Sequence, residues 1–96
     1  MNAAEARKIT YENGSMLFES NFKRTVTFID SSIRTATRMG NFSVKQAVNL
    51  PSIVENEVLE KVTTHYRELG YKVEVYDFFL IKEVQISWAD EEMELN

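Results

Sequence analysis

The sequence predicts a two-layer α+β domain, in the order α-α-β-α-β-β, with its helices packed on one face of a three-stranded sheet. Three observations predict it. Phe18, Phe22, Val26, Ile29, Ile33 and Ala36 recur at intervals of three and four, the period of one helix face. Val54, Val58, Leu59, Val62, Tyr66 and Leu69 repeat that period later in the chain. Residues 42–48, 71–77 and 81–88 instead alternate with period two, the signature of half-buried strands. Helix stripes and an apolar sheet face are satisfied by covering each other.

The first helix is expected over 3–12. Asn2 stands where an N-cap belongs, Glu5 lies at the capping-box spacing, and Ala3, Ala4, Ala6, Arg7 and Lys8 favour helix. Asn13-Gly14 then reads as a turn or kink. The second helix is expected over 15–39. Gly40 follows at the place of a left-handed C-cap, and Arg34 and Arg38 in the last turns complement the helix dipole. Thr25, Thr27, Thr35 and Thr37 are poor helix formers, so packing must hold this helix. Met16, Leu17 and Phe28 widen its apolar side.

The first strand is expected over 42–48, with Phe42, Val44 and Val48 on one face. Pro51 biases Leu50 away from helix. Ser52-Ile53-Val54-Glu55 has the form of a capping box, so the third helix is expected over 53–69. Gly70 ends it, and Tyr71 sits where a Schellman motif wants an apolar contact with the last turn. The strands 71–77 and 81–88 make a hairpin. Tyr71, Val73, Val75, Val84, Ile86 and Trp88 face the helices; Lys82 breaks that row. Lys72, Glu74, Tyr76, Ile81, Glu83, Gln85 and Ser87 face outward. The first and second strands are expected to run parallel, either side by side or split by the third, with a right-handed crossover. Asp90-Glu91-Glu92-Met93-Glu94-Leu95-Asn96 reads as an acidic, disordered tail to a domain spanning 1–89.

Ninety-six residues suit one domain with one modest core. The chain has no cysteine, which excludes disulfides, thiolate metal sites and cysteine nucleophiles. Its N-terminus lacks the apolar stretch of a signal peptide, and no apolar run approaches the ~20 residues of a membrane span. The net charge of −4 resides in the tail. Within the chain, residues 1–49 carry seven basic against four acidic side chains, and residues 50–96 carry four basic against eleven acidic. Such a dipolar chain is not a general nucleic-acid binder; it suits an anion on the basic half or head-to-tail self-association.

No catalytic, metal or cofactor motif stands out. His65, the one histidine, has no nucleophile or acid placed with it and reads as structural. Glu55, Glu57, Glu60 and Glu68 read as the solvated surface of a helix rather than an acid/base pair. Arg34 and Arg38 lie one turn apart. With Lys23, or with Lys45 in a dimer, they can clamp a phosphate, although dipole compensation and solvation are the simpler explanation. Tyr71 and Trp88 read as core aromatics; Tyr76 alone of the strand aromatics points outward. Phe78-Phe79-Leu80 is different in kind. A hairpin tip normally carries Gly, Asn or Asp, and exposed apolar residues there mark a contact surface. Either the tip folds back onto the second helix, or it meets a partner.

The N-terminal Met1-Asn2-Ala3-Ala4-Glu5-Ala6-Arg7-Lys8, the central segment from Ile33 to Val44, Leu69-Gly70-Tyr71-Lys72-Val73 and Ile86-Ser87-Trp88 together resemble small uncharacterised proteins of tailed bacteriophages. The resemblance spans most of the chain and is one of helix–Gly–strand and hairpin pattern. It departs at the tip, where Phe78 and Phe79 replace a polar turn. It brings no catalytic residues. It implies a phage accessory or virion-associated protein acting by binding, without a cofactor, in the host cytoplasm. Three functions are therefore expected: a non-enzymatic inhibitor of a host protein, such as an anti-phage defence component, binding through Tyr76, Phe78, Phe79 and Leu80; an oligomeric virion or assembly protein; or a sponge for a nucleotide signal held between subunits by Lys23, Arg34 and Arg38.

Overall fold

A computed structural model describes residues 1–90, and the predicted tail lies, but for Asp90, outside the described residues. Three helices and three strands follow in the predicted order: α1 (Ala3–Glu12), α2 (Gly14–Arg38), β1 (Ser43–Val48), α3 (Glu55–Glu68), β2 (Lys72–Phe78) and β3 (Ile81–Ser87). The sheet order is β1-β3-β2, with β3 antiparallel to both neighbours. The split arrangement is thus the one adopted: β1 and β2 are parallel to each other, and the last strand inserts between them.

Most boundaries differ from expectation by a residue, for local reasons. Asn2 caps α1, its side-chain oxygen accepting from the Glu5 N–H at 2.9 Å. α2 starts at Gly14 rather than Ser15 because Asn13 is itself close to helical, so α1 and α2 meet at a kink. α2 and α3 end in Schellman motifs. Gly40 (φ 78°) and Gly70 (φ 96°) adopt left-handed conformations, while the Asn41 and Tyr71 N–H groups donate back to the Ala36 and Tyr66 carbonyls. Tyr71 makes the accompanying contact, 5.8 Å from the Tyr66 ring. β1 starts at Ser43 rather than Phe42, which is exposed although its carbonyl accepts from the Trp88 N–H. β2 extends one residue further to Phe78, and β3 stops one earlier, at Ser87.

The third helix departs most. The Ser52–Glu55 capping box does not form. Pro51 and Val54 close a turn instead, Val54 is buried, and α3 begins only at Glu55 without a side-chain cap. Glu55 thus opens the helix instead of standing in its third position, and its carboxylate is held by the Lys82 ammonium at 2.7 Å. Lys82, the exception in the helix-facing row of β3, is thereby explained. Leu69, expected in the stripe, is exposed just past the end of the helix.

The core gathers Ile29 and Ile33 of α2, Val58, Leu59, Val62 and Tyr66 of α3, and Val73, Val84 and Ile86 of the sheet. On α2 the most buried line runs through Asn21, Thr25, Ile29, Ile33 and Ala36. Phe18, Phe22 and Val26 are half-buried beside it. Asn21 tolerates burial because its amide donates to the Leu17 carbonyl and accepts from Arg24. Phe18 and Phe22 are roofed by the Lys61 ammonium, 5.0 and 4.4 Å from their ring centres. His65 packs edge-on to Phe22 and Tyr66.

α3 crosses the hairpin obliquely. At its C-terminal end Arg67 reaches over β2 to the Val73 carbonyl at 2.8 Å; at its N-terminal end Glu55 pairs with Lys82 on β3. Helical cover is therefore drawn off β2 towards the tip. Val73 is 3% exposed, but Val75, two residues on and on the same face, is 40% exposed. Alternation places Val75 on the helix side; the slant of α3 leaves it open.

Candidate functional site

The hairpin reverses in two residues, Phe79 and Leu80, with Phe78 paired to Ile81. Two-residue loops follow the right-handed twist of their strands only through positive φ, and Phe79 supplies it, at 61°. Among the described residues it is the one non-glycine with positive φ. A bulky side chain in that region costs roughly 1–2 kcal/mol relative to ordinary backbone.

The strained side chain gains no packing in return. Phe79 is 94% and Leu80 85% exposed. The tip does not fold back onto α2; it projects into solvent. Tyr76 and Phe78 lie on the open sheet face, their rings stacked 6.1 Å apart and 16° from parallel. Tyr76 donates its hydroxyl hydrogen bond to the Glu74 carboxylate, and that bond raises the phenol pKa. Ile81, exposed on the same face, completes a continuous apolar surface with Tyr76, Phe78, Phe79 and Leu80.

Ile81 belongs to this surface and Val75 is exposed beside it on the helix-facing side of β2, and neither was expected as a contact residue. For Ile81 the signal was present: a two-residue loop necessarily sets it opposite Phe78. For Val75 there was none, because its exposure depends on the direction of α3.

Lys23, Arg34 and Arg38 all lie exposed along one side of α2. Arg34 and Arg38 are about 6 Å apart along the axis, whereas Lys23 is about 16 Å from Arg34, too far for one phosphate. A single chain thus offers an arginine pair rather than a three-point clamp. No helix among the described residues is long and apolar enough to cross a membrane. Comparison with protein-family models, with curated proteins and with solved structures gives no match to this chain.

Proposed function

We propose that this protein acts by binding another protein through its hairpin tip, without a reaction of its own. One observation carries the reading: Phe79 is held at positive φ and fully offered to solvent. A fold gains nothing from that arrangement, since glycine there relieves the backbone and removes an exposed apolar ring. Apolar residues gathered at a protruding tip, flanked by the stacked Tyr76 and Phe78, have the form of an anchor entering a pocket.

The resemblance to tailed-phage proteins supports a host protein as that pocket's owner. The protein would then act in the host cytoplasm by blocking its target, with defence components as the first class to examine. Capture from host lysate by the immobilised chain should recover a partner that the Phe79→Gly chain, equally folded, does not. Recovery of the same proteins by both chains, or of none, defeats the proposal.

A further inference from the structure

The sheet has two edges, and only one is guarded. The Trp88 N–H donates to the Phe42 carbonyl, so even-numbered residues of β1 direct their backbone groups towards β3. By the same alternation and the observed registers, Ser43, Lys45 and Ala47 direct theirs outward from β1, and Val73, Val75 and Asp77 direct theirs outward from β2. Two side-chain bonds agree with this: Gln46 donates to the Ala47 carbonyl, and Arg67 to the Val73 carbonyl. On β1, Lys45 and the Gln46 amide blunt the edge in the usual way. On β2, Arg67 guards one end. Among the described residues nothing reaches the outward backbone groups of Val75 or Asp77. Val75, Tyr76 and Phe78 are exposed around them.

We infer that this edge is the site of self-association: β2 pairs antiparallel with β2 of a second copy about a two-fold axis at Val75. Three features favour that occupant and register. The first is charge. An axis at Glu74 or Asp77 sets like charges opposite each other, and one at Val73 brings two Arg67 side chains together. An axis at Val75 sets Glu74 against the partner's Tyr76 and Lys72 against the partner's Phe78, with no like pair. The second is helical cover. Where α3 has moved over β3, near the tip, the partner's α3 lies over its own β2. The two helices then run side by side about two strand spacings apart, roughly 9–10 Å, which is the packing distance of helices. Asn56, Glu60, Thr63 and Arg67 share the facing flank by helical period, and antiparallel pairing brings each Glu60 towards the partner's Arg67 end. The third is what remains exposed. The joined sheet has six strands, and both its edges are the guarded β1.

Tyr76 and Phe78 border both this edge and the proposed partner anchor, but the anchor's tip is not consumed by the pairing. Phe79 and Leu80 lie beyond the last paired residue, so the assembly presents two tips.

Sedimentation across a concentration series should show the 11.2 kDa chain going over to twice its mass. Val75→Lys, which sets two ammonium groups face to face, should return it to the single-chain mass with its circular dichroism unchanged. The chain lacks cysteine, so Val75→Cys provides a sole thiol. Hydrogen-bonded antiparallel pairs have Cα atoms about 5.5 Å apart, within disulfide reach, and this chain should oxidise to a covalent dimer. Glu74→Cys, displaced from the axis, should not. A single-chain mass for the unmodified protein at every concentration overturns the inference. So does a dimer indifferent to Val75→Lys, or faster cross-linking through position 74. Phe79→Gly should leave the dimer intact, so failure of the partner proposal and failure of this one are told apart.

Discussion

Single residues here separate what serves folding from what does not. At Phe79 the backbone conformation belongs to glycine, and the ring contacts solvent. Phe79→Gly should therefore raise stability by about 1 kcal/mol, seen as a higher urea midpoint with unchanged slope. A loss of stability would mean the ring packs after all. Tyr66 is the opposite case. It is fully buried, and its hydroxyl lies 2.7 Å from Asp30 and 3.1 Å from the Val26 carbonyl, tying α3 to α2. Tyr66→Phe should cost about 1.5–3 kcal/mol, the range for a hydrogen bond to a charged group. Burial first, then the bond to Asp30, pushes the Tyr66 phenol far above its ordinary range. Because the folded-state pKa is raised, this stability is present in full below the unfolded pKa of about 10 and is lost as pH rises beyond it, by up to about 1.4 kcal/mol per unit. Of the four tyrosines, one should form phenolate only on unfolding, and that coupled step should vanish in Tyr66→Phe. Reversible ionisation of all four in the folded chain contradicts this.

Elements differ in how far their own residues determine them. Both glycine-ended helix C-termini were legible, because Gly40 and Gly70 each stand one residue past an expected helix and such a cap needs nothing from afar. The start of α3 was not. Ser52 and Glu55 have the right spacing for a capping box, but Glu55 opens the helix instead and is paired with Lys82, 27 positions away in sequence. The sequence does not reveal which charges will meet. The bond to Glu55, foremost, raises the Lys82 pKa. A raised ammonium pKa contributes stability below its unfolded value, lost only as the folded group deprotonates at alkaline pH. α1 shows the converse limit. Its residues were read correctly from cap and propensity, yet none is buried. Ten residues fall short of the 12–15 at which isolated helices become even marginally stable in water. In hydrogen exchange, amides of α1 should show little protection, while Val62 and Tyr66 in α3 should exchange only through global opening. Protection of α1 matching α3 would show that something covers it.

Over the whole molecule, layering decides what alternation cannot. Period two assigned Val73, Val75, Val84 and Ile86 to one sheet face, and the registers Val73↔Ile86 and Val75↔Val84 place them so. Which of them the helices cover depends on the angle of α3, set by Arg67 at one end and Glu55 at the other. The same slant leaves the tip without cover and opens the β2 edge, so the candidate surface was legible where it depends on residue type and illegible where it depends on layer geometry. Phe78, Phe79 and Leu80 were suspect as apolar residues in a turn; Val75 looked like core. Paired substitutions test the layering directly. Val73→Ala removes two methylene equivalents from a packed site and should cost about 2 kcal/mol or more, transfer and cavity together. Val75→Ala is chemically identical but starts 40% exposed, and in the dissociated chain it should cost well under half as much. Urea unfolding of both at concentrations low enough to exclude association gives the comparison. Equal losses would mean that α3 covers β2 along its full length, leaving neither an open edge at Val75 nor a tip that outruns its helices.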